Sequence, residues 1–233
     1  MKKKLVFIFL FIVLGFVALQ IPVNTIAGAH VKFTLFDLLA PVSGAFMGTP
    51  LGVIAVVVMQ LVNLTVHGFR GIDDSTVFKL VATLRFFPMM FGVWFFANAV
   101  SGKSSWKMLL VPCASIFLFN LHPVGRIAWI YSMFWTVPII MWPLREKSLL
   151  ARSLASTFVA HSVGSTIWIW AFSMPAAAWI GLIPITAMER GIFALGISAS
   201  YILFNNLLAL LVKSKLLTKV FSLDRRFLLS FLK

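Results

Sequence analysis

Charge is scarce in this chain, and acid is scarcest of all. Of 233 residues only 11% are charged, six of them Asp or Glu against twenty Lys or Arg, while 61% are hydrophobic and 15% aromatic. A domain of this size that folded in water would need far more polar surface, so the composition excludes a soluble protein and predicts an integral membrane one. The single cysteine, Cys113, lies in an apolar run and excludes an internal disulfide or a Cys-x-x-Cys centre. No Gly-rich phosphate loop ending in Lys-Ser or Lys-Thr is present, so the chain does not hydrolyse ATP itself. His-Glu-x-x-His, Gly-x-Ser-x-Gly and an Asp-rich metal motif are also missing, which argues against a metal centre, a serine hydrolase and a metal-dependent lipid transferase. No cofactor is expected. The net charge of +14 comes from basic residues set between apolar runs, where they orient a chain in a bilayer, so nucleic acid is not an expected partner.

What is present is a series of apolar runs at about 5–22, 34–48, 50–67, 78–98, 108–122, 126–144, 153–174 and 187–212. They predict an all-α, polytopic membrane helix bundle of about seven or eight segments, some tilted or short of the ~20 residues a straight crossing needs. Lys2 to Lys4 followed by LVFIFLFIVLGFVALQ reads as a signal-peptide start, with Ala27-Gly28-Ala29 as a cleavage site, or as a retained first helix. The retained helix is preferred. With eight crossings from a cytoplasmic start, fourteen of the twenty basic residues fall inside, including Lys103, Lys107, Arg145, Lys147, Arg152 and Lys213. The expected location is the plasma membrane, multi-pass, with both termini cytoplasmic. Residues 1–213 form one membrane domain. Residues 214–233, SKLLTKVFSLDRRFLLSFLK, read as a cytoplasmic basic amphipathic helix resting on an anionic leaflet, so membrane lipid is an expected partner.

The remaining basic residues, Lys32, Arg70, Lys79, Arg85, Arg126 and Arg190, map to the outer half with Asp37, Asp73, Asp74 and Glu189. Arg85 lies within an apolar run, where an unpaired charge facing lipid costs at least ~2.5 kcal/mol at full depth. Two readings stay open. Either Arg85, Arg126 and Arg190 pair with the acids and staple helix ends, or they line an outward pocket for a small, partly anionic molecule stacked on tryptophan.

The passage IPVNTIAGAHVKFTLFDLLAPVSGAFMGTPLGVIAVVVMQLVNL, residues 21–64, resembles the early part of the substrate-binding S components of energy-coupling factor vitamin transporters. The later stretch Ile183-Pro184-Ile185-Thr186-Ala187-Met188-Glu189-Arg190 is similar to the start of that family's final membrane helix. The resemblance implies an α-helical binding subunit, an outward pocket capped by the loop after the first helix, and association with a scaffold membrane subunit and two cytoplasmic ATPases. The family fold has six membrane helices, whereas this chain has seven or eight apolar segments, so only a six-helix core is implied. On physical grounds alone, Gly44, Gly48 and Gly52 predict a flat face for close helix packing, and Gly48-Thr49-Pro50 predicts a reversal.

One frame occurs twice. FNLHPVGRIAWIY at 119–131 and FVAHSVGSTIWIW at 158–170 share Phe, His, Val, Gly, Trp and Ile at a constant offset of 39. Pro123 predicts that the first copy breaks its helix near His122, while the second continues through His161. His161 shares a helix face with Thr157, Gly164, Ser165 and Trp168. A mid-membrane histidine needs a partner, and Asn120, Asn205 and Asn206 are the expected ones if no ligand is bound. The candidate substrate-binding residues are therefore Arg85, Arg126, His161, Ser165, Trp168 and Arg190, with no catalytic and no metal-binding residue. The expected function is uptake of a small vitamin-like metabolite without chemistry. A membrane enzyme acting on lipid-linked substrates and a non-catalytic scaffold are the alternatives.

Overall fold

The computed structural model describes residues 2–25, 32–67, 84, 86–172, 174–214 and 223–232. Arg70, Asp73, Asp74, Lys79 and Arg85 lie outside them. The described chain is helical apart from one short hairpin, so the all-α class holds.

Helix α1, Lys2–Leu19, leads into an antiparallel pair, β1 Pro22–Thr25 and β2 Lys32–Thr34, with Pro22 opposite Thr34 and Thr25 opposite Lys32. Pro22 opens its strand, where a missing N–H is tolerated. Helices α2, Phe36–Met47, and α3, Thr49–His67, then reverse direction at Gly48, whose φ of 89° suits a residue without a Cβ. The other two glycines of the four-residue series serve packing. A Cβ on Gly52 would overlap the Gly44 backbone, and one on Gly44 would sit 2.8 Å from the Ala97 methyl of helix α4, Phe86–Val100. Close packing of α2, α3 and α4 is thus the work these small residues do.

After a capped 3-10 turn at Trp106–Leu109 comes helix α5, Leu110–Leu121. The expected apolar run 126–144 is not one helix. It divides into α6 Pro123–Ile127, α7 Trp129–Ser132, a 3-10 turn at Met133–Thr136, α8 Val137–Ile140 and another 3-10 turn at Trp142–Leu144. Pro123, Pro138 and Pro143 each lie in the first turn of a new piece, where their missing N–H removes no helical bond. Helix α9, Leu149–Ala171, is capped by the Ser148 hydroxyl, which accepts from Ala151 N–H at 3.2 Å. A short α10, Ala176–Gly181, precedes the longest described helix, α11, Ile183–Lys213.

The described part of the tail is not the expected helix. Over 223–232 it makes two 3-10 turns, Arg225–Phe227 and Ser230–Leu232, and lies against α11. Three apolar clusters fill the described bundle, the smallest of them Phe95, Met108, Ala155 and Val159. Of the larger two, one gathers Phe36, Val42, Val56, Phe96, Tyr201 and Leu208, and the other is aromatic, with Phe119, Tyr131, Trp135, Phe158 and Trp179. By length and composition two described helices can cross a membrane, over Thr49–Val66 and Ile183–Lys213. Shorter apolar helical stretches cover Phe36–Met47, Phe87–Val100, Trp106–Leu121 and Trp129–Leu144.

Candidate functional site

Helix α9 carries polar side chains at every fourth position, Ser153, Thr157, His161 and Ser165, so they share one face. That face is buried against α11 and the broken segment after α5. The Ser153 and Ser198 hydroxyls hydrogen-bond at 2.9 Å, and Arg190 Nη1 donates to Thr157 Oγ1 at 3.3 Å. One turn further along, His161 is the centre of an aromatic and hydroxyl nest. Trp135 Nε1–H donates to His161 Nδ1 at 3.1 Å, while Tyr131 Oη and Ser165 Oγ lie 3.1 and 3.3 Å from Nε2. An indole N–H can only donate, so Nδ1 is an acceptor and the neutral ring carries its proton on Nε2. Tyr131 Oη also meets Thr186 Oγ1 at 3.1 Å, which extends the chain of bonds to α11. With both ring nitrogens engaged, His161 has no lone pair left for a metal. No group of three metal-ligating side chains occurs among the described residues.

The second cluster lies one turn along α11 from Thr186. Arg190 is buried beside buried Glu189, with Nη2 and Oε2 3.8 Å apart, and its guanidinium lies 4.4 Å from the centre of the Phe193 ring. Asp37, in the first turn of α2, accepts from Thr34 N–H at 2.8 Å, which ties the end of the hairpin to this cluster. Asp37, Ser156, Thr157 and Arg190, with Met89 and Phe193, line a cavity of about 20 Å³, enough for roughly one water. Its polar wall comes from α2, α9 and α11, so three sequence-distant helices meet there. The expectation that Arg190 pairs with nearby acid holds for Glu189.

Of the expected site residues, the structure joins His161 to Ser165 and places Arg190 one helical turn away. Arg126 is elsewhere. It is exposed, and Nε and Nη2 donate to Asn120 O at 3.3 Å and Leu121 O at 3.5 Å, which caps the C-terminal end of α5. Trp168 packs on Phe172, ring centres 4.7 Å apart, at the edge of the aromatic cluster. Arg85 lies outside the described residues. The expected asparagine partners of His161 are engaged otherwise: Asn120 with Ile116 O and Ser132, Asn205 and Asn206 with the tail. Tyr131, Trp135, Thr157 and Thr186 do the work instead. Tyr131 is one of only two tyrosines and stands inside the repeated frame, which was the available signal. Trp135 carried none, since seven other tryptophans look alike in sequence.

No family model, no curated protein and no solved structure matches this chain.

Proposed function

We propose that this protein is a multi-pass membrane protein that binds a small polar metabolite for uptake, at the Asp37–Glu189–Arg190 cluster. The observation that carries this reading is a pair of opposite charges, Asp37 and Arg190, lining a cavity inside a helix bundle, with buried Glu189 beside the buried Arg190. Such groups are expensive in a membrane and are usually retained for ligands or ions. Seven or eight apolar segments, one of them the divided run 126–144, with both termini on the cytoplasmic side, would account for the placement of the basic residues. The outward apolar faces agree with lipid contact: on α11, Met188, Ile192, Leu195, Leu203 and Leu210 are exposed. In this reading the protein resembles an energy-coupling factor S component, with a scaffold subunit and two cytoplasmic ATPases as partners. Hairpin residue Thr34, bonded to Asp37, supplies the cap after the first helix.

A second reading is a non-catalytic membrane scaffold, and the cavity's size favours it, because room for about one water does not hold a vitamin. The first reading requires α2 and α11 to separate when a ligand enters. Mass spectrometry of small molecules retained by the purified protein decides between them. Uptake predicts a metabolite carried by the native chain and lost with Arg190→Gln. Its absence from both, or equal retention by both, overturns the assignment.

A further inference from the structure

Asn205 and Asn206 are neighbours on α11, and each grips the backbone of the C-terminal segment through both ends of its amide. Asn205 Nδ2 donates to Asp224 O at 2.9 Å, and Asn205 Oδ1 accepts from Asp224 N–H at 2.9 Å. Asn206 Nδ2 donates to Phe227 O at 2.7 Å, and its Oδ1 accepts from Leu229 N–H at 2.8 Å. Lys213 Nζ adds a bond to Phe231 O at 2.7 Å. All five satisfy main-chain groups that a helix would have paired internally, so the segment is docked as a strap. Apolar contact completes the docking: Phe227 meets the Tyr201 ring edge-on at 6.0 Å. Arg226 Nη1 reaches Glu146 O at 3.4 Å, the carbonyl that Arg152 Nη2 reaches at 3.2 Å, so the strap also binds the turn before α9.

We propose that residues 223–232 are a latch that holds α11 against α2 and α9 at the end of the bundle remote from Arg190, and that its release opens the Arg190 cavity. Strap and cavity stand at opposite ends of the same two helices. Arg190 and Asn205 are separated on α11 by roughly 22 Å at 1.5 Å per residue. On α2, Asp37 lines the cavity at one end, and Phe46 stacks on Tyr201 at the other, ring centres 5.3 Å apart. Tyr201 therefore links the strap to both helices. Packed helices shift as rigid pieces, so a change at Tyr201 is felt at Asp37.

The latch is also poised to leave. Arg152 is fully enclosed beneath this region, and its Nη1 has no hydrogen-bond partner. Admitting water there relieves a buried, incompletely paired cation and offsets part of the lost strap bonding. The Arg226–Asp224 pair, 2.7 Å apart, lies wholly within the strap and travels with it intact. That guanidinium holds the Asp224 carboxyl below the usual carboxylate range.

The test needs no ligand, so it stands or falls separately from the uptake reading. In the whole chain with Cys113→Ser and Ser156→Cys, the only thiol lies in the cavity lining, at a position whose native hydroxyl donates to Gly92 O at 2.8 Å. The strap is loosened by Asn206→Ala together with Leu229→Pro. Leu228 is extended, at φ −80° and ψ 139°, the conformation that precedes proline, so Leu229→Pro removes the N–H while suiting the residue before it. Maleimide labelling of the thiol is expected to rise about tenfold, the effect of about two net hydrogen bonds, while the Asp224 amide loses protection from hydrogen exchange. If that combination does not fold, Lys213→Gln, on an exposed side chain, gives a smaller rise of about twofold. An unchanged labelling rate in a chain whose Asp224 amide has become exchangeable overturns the proposal. An amide that stays protected overturns the clamp itself.

Discussion

In the first copy of the repeated frame, residues 119–131, His122 ends α5 in an extended conformation and its Nδ1 caps α6 by accepting from Val124 N–H at 3.3 Å. In the second copy, residues 158–170, every residue lies inside α9 and the histidine points into the protein. Proline decides the difference, because Pro123 has Ser162 as its counterpart. The glycines divide the same way. A Cβ on Gly125 would overlap the Phe119 carbonyl, whereas one on Gly164 would meet only the Pro88 ring, at 3.5 Å and beyond. Yet the copies touch each other in a crossed fashion. His161 bonds Tyr131, the last residue of the first copy, and His122 packs edge-on against Trp170, the last of the second, ring centres 5.1 Å apart. One frame thus yields a chain break at one site and a half-buried polar anchor at the other, and aromatic residues at equivalent positions join them.

The glycines give the sharpest way to break this comparison. Gly125→Ala is expected to destabilise by about 3 kcal/mol, since a backbone carbonyl has to move. Gly164→Ala is expected to be neutral or to stabilise by about 0.5–1 kcal/mol through lower unfolded-chain entropy in a helix interior. Thermal unfolding in detergent reads both, and equal effects would mean that the two backbones are alike. The histidines come next. His161→Ala leaves the buried Trp135 N–H unpaired and opens a void, at a cost of about 2–4 kcal/mol. His122→Ala removes one long cap bond and an edge contact, about 0.5–1 kcal/mol. The same melts check this pair, and a larger loss at His122 would reverse the assignment of roles.

Much of the fold is legible in the residues themselves. The reversal at Gly48-Thr49-Pro50, the close approach at Gly44 and Gly52, the break at His122-Pro123 and the pairing of Arg190 with acid all follow from local chemistry. What is not legible is the division of one apolar run and whatever depends on distant partners. The run 126–144 is apolar enough for one helix, but Pro138 and Pro143 divide it. The Leu, Phe and basic pattern after residue 214 fits an amphipathic helix equally well. The described part is a strap only because Asn205 and Asn206, 19 to 23 residues earlier, take its backbone bonds. His161 finds its partners 26 and 30 residues upstream, on a segment whose path no periodicity predicts. Candidate residues chosen by charge and depth, such as Arg126, were therefore separated by the fold from those chosen by helix face, such as Ser165.

The account rests on His161 being held by Trp135 as a half-buried anchor. Nitrogen NMR of ring-labelled histidine in the native chain and in Trp135→Phe reads this directly. The native protein is predicted to show His161 protonated on Nε2 and bare on Nδ1, with the Nδ1 signal moving when the indole is removed. A proton on Nδ1 in the native protein, or a signal indifferent to Trp135→Phe, would contradict it.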